Sequence, residues 1–242
     1  MHGNHGAAVI YWIATVAEPL PAVVGISGLG VHGSGMIPRR CIAVFLTGTL
    51  LFAGGTLSAG DFDAGAEAAA EGDFATAIKK WRPVAEAGNS VAQHNLGVIY
   101  RNGLGVPINY EEAAKWSLRA AENGHAAAQN NLGVMYSYGH GVPANDAEAA
   151  RWYERAARQG HAAGQYNLGK SLEEGKGVPR DLLAAHMWFR LAEVNGSTRA
   201  RRARIALEEE LTAKEIATAD DLSRDCRASD YKECNLNKPR QE

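Results

Sequence analysis

The sequence predicts an all-α fold in which two-helix units stack into an α-α solenoid. Three observations predict it. Blocks 85–120, 121–156 and 157–192 align without a gap. Each carries one loop of the form Gly-x-Gly-Val-Pro, at 103–107, 139–143 and 175–179. Ala is abundant after residue 60 while Phe, Trp and Tyr together make up only 7% of the 242 residues, which favours closely packed helices.

The first helix of each block carries an apolar stripe at helical spacing: Leu96 and Tyr100, Leu132 and Tyr136, Leu168 and Leu172. Gly97, Gly133 and Gly169 interrupt that stripe. A glycine inside a helix costs about 1 kcal/mol against Ala, so its return in every block predicts a neighbouring helix crossing closely there. Gln93, Gln129 and Gln165 precede a constant Asn-Leu-Gly triplet. The Gly-x-Gly pair ends the first helix, Pro prevents its continuation, and Val106, Val142 and Val178 plug the gap between helices. The second helix turns Ala113/Trp116/Ala120, Ala149/Trp152/Ala156 and Ala185/Trp188/Ala192 to one face. It ends at Gly124, Gly160 and Gly196, the counterparts of Gly88. Such a hairpin cannot bury its apolar face alone, whereas stacked neighbours can.

The flanks read as caps. Residues 61–84 form a partial unit turning at Gly72-Asp73, with Trp81 near the repeat's Trp position. Residues 193–234 form a C-terminal helical cap, in which Thr212 and Glu215 make a capping-box pattern. The polar residues 235–242 form a tail. In the cap, Arg199, Arg201, Arg202 and Arg204 precede Glu208–Glu210, an order that opposes the helix dipole. Arg204 and Glu208 can pair at i, i+4.

The N-terminus reads as an export signal over residues 36–60. Arg39 and Arg40 precede the apolar stretch 41–53, and Ser58-Ala59-Gly60 offers small residues for cleavage, with Gly54-Gly55 as an earlier alternative. Residues 1–35 do not fit ahead of such a signal and read as an upstream extension, translation starting at Met36. The rival reading is a membrane anchor built from 7–17 or 41–57. Both runs are short or Gly-broken against the ~20 apolar residues of a spanning helix. Cleavage would remove Cys41 and leave Cys226 and Cys234, an even pair that predicts a disulfide in a periplasmic or secreted protein. The alternative is two separate thiols.

These blocks resemble the Sel-1-like repeat family, relatives of the tetratricopeptide repeats. The resemblance rests on Ala-x-x-x-Leu-Gly-x-x-Tyr, on Gly-x-Gly-Val-Pro and on Ala-Ala-x-Trp followed by Ala and Gly. It covers residues 85–196 fully and 61–84 as a partial unit. Block three departs at Gly164, Leu172 and His186. The resemblance implies a right-handed superhelix, a concave face lined by first helices, and an adaptor role, often at the bacterial envelope. A cysteine-rich branch of the family is credited with weak β-lactam hydrolysis. The blocks here hold no Cys, so that inference does not carry over.

Candidate binding residues are then the first-helix positions that vary while packing positions hold. They are Val91, His94, Val98, Arg101 and Asn102, then Asn130, Val134, Ser137 and Tyr138, then Tyr166, Lys170, Glu173 and Glu174. The expected partner is a protein or peptide segment. A formal net charge of −2 offers nucleic acid no general attraction, and membrane contact is expected only if the N-terminal segment is retained. No His pair has the spacing of two metal ligands on one helix, and His125 and His161, in register after the Gly turn, read as structural. The Gly-x-Gly loops lack the strand that phosphate cradles require. No cofactor and no metal is expected. Ser137 and Ser171 lie on first helices without any mark of an activated nucleophile. The expectation is a non-catalytic scaffold, with a cell-wall or β-lactam hydrolase or a membrane-tethered regulator as the alternatives.

Overall fold

The computed structural model describes residues 59–234. The expectations for residues 1–35, for the export signal up to Ser58 and for 235–242 lie outside them. Ten α-helices follow one another among the described residues. They are α1 (Ala59–Ala70), α2 (Phe74–Glu86), α3 (Ser90–Asn102), α4 (Tyr110–Glu122), α5 (Ala126–Tyr138), α6 (Asp146–Ala157), α7 (Ala162–Glu174), α8 (Leu182–Val194), α9 (Thr198–Leu207) and α10 (Ala213–Ala228). A 3-10 turn, Glu208–Glu210, follows α9. From α1 to α9 each helix packs on its neighbours in sequence, and α10 docks on α8. This is an α-α solenoid of stacked hairpins.

Local chemistry sets the helix ends. Asn109, Asn145 and Asp181, two residues after the loop Pro, cap α4, α6 and α8. Their side chains accept from the backbone N–H of Glu112 (3.0 Å), Glu148 (3.1 Å) and Ala184 (2.9 Å). Each such cap is worth about 1 kcal/mol. The same three residues close the loop by donating their backbone N–H to the carbonyls of Tyr100, Tyr136 and Leu172, at 2.9, 2.8 and 3.0 Å. Val142 packs against Ala113, Ala114 and Met135, as a plug between repeats should.

The tryptophans are interior. Trp81, Trp116, Trp152 and Trp188 are all buried, as are Leu96, Leu132 and Leu168. Tyr136 is half-buried against Leu132 and Trp152, and Tyr100 against Ala113, Ala114 and Met135. A Cβ on Gly97, Gly133 or Gly169 would stand 2.8 Å from Ser117 Oγ, 2.6 Å from the Tyr153 ring and 2.6 Å from the Phe189 ring. The close crossing expected from the sequence is therefore real, and one residue of the second helix, in constant register, fills it. Burying a ring the size of Phe189 stabilises by roughly 1.5–3 kcal/mol.

A buried polar ladder ties the hairpins together. Gln93, Gln129 and Gln165 donate Nε2 to the carbonyls of Ala85 (2.8 Å), Ala121 (3.1 Å) and Ala157 (3.2 Å) in the preceding second helix. Their Oε1 atoms accept from Asn123 (3.0 Å), Gln159 (2.7 Å) and Asn195 (2.9 Å) at the end of the following one. Each glutamine thus spans two second helices from within one first helix. All three glutamines and the alanines whose carbonyls they bond are buried, so breaking a rung removes a bond that water cannot replace. Gln165→Ala is expected to lower stability by about 1–3 kcal/mol, read as a lower urea midpoint at unchanged m-value. An unchanged midpoint would show that the ladder does not stitch the repeats.

The C-terminal cap ends this interior. Thr212 and Glu215 form the capping box that opens α10. Cys226 and Cys234 are joined by a disulfide, both buried beside Met187, Trp188 and Leu191. The turn they enclose places the Tyr231 hydroxyl 2.9 Å from Asn195 Nδ2, at the last rung of the ladder. The arginines of α9 receive a partial explanation. Arg201 and Arg204 donate to Glu193 of α8 at 2.7 and 2.9 Å, and Arg204 also pairs with Glu208. Glu208 in turn meets the buried His186 of block three at 3.1 Å.

Candidate functional site

The first helices α5 and α7, closed at one end by α9, form a groove of about 630 Å³. Asn130, Val134, Ser137 and Tyr138 of α5 line it, with Tyr166, Lys170 and Glu174 of α7. The variable positions of blocks two and three therefore converge, except Glu173, which stands beside the groove and holds Lys170 at 2.7 Å. Helix period explains the convergence, because residues three and four apart share a face.

Rings and amides shape the groove. Tyr138 is 70% exposed. Its ring stacks on His140 at 5.7 Å, and His140 stacks on Tyr110 at 4.5 Å, forming an aromatic ledge at the rim. Tyr166 leans on Phe189 at 5.8 Å. Asn167 donates Nδ2 to Asn130 Oδ1 at 2.8 Å, joining α7 to α5 across consecutive repeats. The Tyr153 hydroxyl reaches Ser137, and burial pushes its pKa up to about 12.

The α3 candidates do not join this groove. His94 is buried, 7% exposed, so reading it as an open surface position needs correcting. Its imidazole stacks on His125 at 4.4 Å with the planes 20° apart. Burial, and then the nearby His125, Arg101 and His161, lower its pKa to about 3. Asn130 is also largely covered, 8% exposed, although it lines the groove. Val91, Val98 and Arg101 are half-buried and Asn102 is exposed. His125 and His161 stand at the N-caps of α5 and α7, and the His125 ring accepts from Ala128 N–H at 3.2 Å.

Five further lining residues, Tyr153, Asn167, Ser171, Lys176 and Arg199, are not among the binding positions expected from the sequence, although Ser171 is noted on a first helix and Arg199 in the charged run of the cap. Asn167 belongs to the constant triplet, so it does not vary as the expected binding positions do. Arg199 comes from the cap, where repeat register gives no signal. Chemically the groove offers rings, amides and cations. Ser137 meets a phenol and not a base, and the described residues hold no cluster of three or more His, Cys, Asp or Glu placed to bind a metal.

The family model for the Sel1 repeat matches residues 90–125, 126–161 and 162–193. Its repeats begin five residues after the sequence blocks, at the first helices themselves. Among solved structures 21 chains match. One is a Sel1 repeat protein from Oxalobacter formigenes, 36% identical over 59% of this chain and 59% of its own, with a TM-score of 0.57. Another is a protective antigen present in uropathogenic Escherichia coli strains displaying an SLR fold, 27% identical over 75% of this chain and 49% of its own, with a TM-score of 0.50. The chain thus spans only part of the length of either. No curated protein matches it.

Proposed function

Because the chain carries three Sel1 repeats, a module that generally mediates protein–protein contacts, we propose that it is a non-catalytic scaffold that holds a partner segment in the groove between α5 and α7. One observation carries this reading. Seven of the variable first-helix positions of blocks two and three line a single open groove, while the tryptophans and leucines that recur are used up in the interior. An open groove lined by the exposed Tyr138 ring and the half-buried Tyr166 is a surface that a solenoid can offer a partner.

The scaffold works in the cell envelope or outside the cell. The order of charged, apolar and small residues over 36–60 supports export, and so does the Cys226–Cys234 disulfide, a bond that persists in oxidising compartments. No helix among the described residues is long and apolar enough to cross a membrane.

The test is site-specific photo-crosslinking in intact cells. A photoreactive side chain at Tyr138 should give a discrete adduct with a partner. One at Arg151, exposed on the second helix α6, should not. Adding Tyr166→Ala should reduce the Tyr138 adduct about tenfold, since truncating one central aromatic commonly costs 1–2 kcal/mol or more. Identical adducts from both positions would refute the groove.

A further inference from the structure

The groove is locally positive in a chain whose formal net charge is −2. Lys170, Lys176 and Arg199 line it against one carboxylate, Glu174. Two of these cations are already matched. Lys170 meets Glu173 at 2.7 Å and Glu174 at 3.0 Å, and Lys176 meets Glu174 at 3.1 Å. Arg199 is different. Its neighbours Arg201 and Arg204 are held by Glu193, but Arg199 has no carboxylate partner among the described residues. It is exposed and stands in the first turn of α9, where the helix dipole disfavours a cation. Its guanidinium makes no ion pair with the described residues and is left to the groove. Tyr166 and Tyr138 line the same groove, the Tyr138 ring braced by His140 and, through it, Tyr110.

We propose that the groove takes an acidic peptide segment, with an Asp or Glu carboxylate on Arg199 and an aromatic or apolar side chain against Tyr138 and Tyr166. A guanidinium presents a planar fork of donors that matches a carboxylate. Tyrosine supplies contact area at little conformational cost. The Asn130–Asn167 amide pair leaves polar atoms for the segment's backbone. The chain's own undescribed ends do not supply such a segment: residues 1–58 contain one carboxylate side chain, Glu18, and residues 235–242 one, Glu242. The proposal rests on the groove reading and adds the chemistry of the occupant.

The probe is a rhodamine-labelled peptide of repeated Glu-Tyr pairs, titrated with the full-length protein and read by fluorescence anisotropy. It should bind, and weaken as salt is raised, because the screening length falls to ~8 Å at physiological ionic strength. The same peptide with Lys in place of Glu should not bind, and the one with Ala in place of Tyr should bind about tenfold more weakly. Arg199→Glu should weaken binding about tenfold or more. Arg151→Glu, exposed on the second helix α6 and outside the groove, should stay within about twofold, because screening limits how far a surface charge reaches. Equal losses from the two reversals would overturn the proposal in favour of unspecific charge attraction. Binding of the Lys peptide as tight as the Glu peptide would overturn it too. A dimer in sedimentation velocity that Arg199→Glu dissociates would assign the groove to a second copy and also overturn it. If the Tyr138 crosslink persists while the acidic peptide fails, the chemistry falls and the groove stands; loss of both removes the groove itself.

Discussion

Replacing Gly141 or Gly177 with alanine is expected to lower the unfolding free energy by roughly 2–5 kcal/mol. Two costs add. Both residues have positive φ, +73° and +69°, where a side chain costs roughly 1–2 kcal/mol. A Cβ at Gly141 would also fall inside the contact distance of the Tyr110 carbonyl, and one at Gly177 inside that of the Asp146 carbonyl. Those carbonyls open α4 and α6 and cannot step aside without moving the helix, an overpacking cost of roughly 1–3 kcal/mol. Each loop is thus seated on the first turn of the previous repeat's second helix, and the substitution strikes the seam between repeats. Gly72→Ala and Gly196→Ala isolate the first cost. Their φ values are +81° and +94°, yet nothing lies within 4 Å of the added carbon, so the loss should stay near 1–2 kcal/mol. Urea titrations of the four variants measure the difference. Equal losses from all four would show that the loops are not wedged between repeats.

The solenoid was legible in the sequence because its interior repeats. Where the same neighbours recur the same residue recurs, so Leu96, Leu132 and Leu168, the glycines behind them and the tryptophans all announced their positions, whereas Ser117, Tyr153 and Phe189, which cover those glycines, did not. The glutamine ladder was equally visible as a pattern, but its role was not. A repeated Gln gives the register of a hydrogen bond and no sign of the partner, which here lies in other helices on either side. The groove was half legible. Its α5 and α7 residues stood out as variable positions on one face. Arg199 did not, because it comes from a helix outside the repeat. His94 failed for a third reason: variation along a register does not guarantee exposure. The slot holding His94, Asn130 and Tyr166 faces a neighbouring element each time. It is filled by a stack on His125, an amide bond to Asn167 and a tilted contact with Phe189 respectively. A slot whose neighbour changes from unit to unit varies even when it is packed.

That buried imidazole makes the protein acid-sensitive in a window of its own. His94 has its pKa lowered to about 3 by burial and then by the charges of His125, Arg101 and His161. Burial lowers His125 and His161 as well. The unfolded chain protonates near 6.5, so between that value and about 3 the unfolded state binds the extra proton. The stabilisation is therefore complete above pH 6.5 and is lost progressively as pH falls. At pH 5 the His94 contribution alone amounts to about 2 kcal/mol, near 1.4 kcal/mol for each further unit. Carboxylates such as Glu193 and Glu215, whose pKa values are also lowered, lose their contributions only as pH falls below the ordinary 4.5. The interval from pH 7 to 5 therefore belongs to histidine. Wild type should lose at least about 2 kcal/mol across that interval in urea unfolding, and His94→Phe, which keeps a ring against His125 and cannot take a proton, should lose about 2 kcal/mol less. The same drop in both proteins would mean that the His94 imidazole is reached by solvent in the folded chain, and the stack with His125 would no longer count among the contacts that hold α3 to α5.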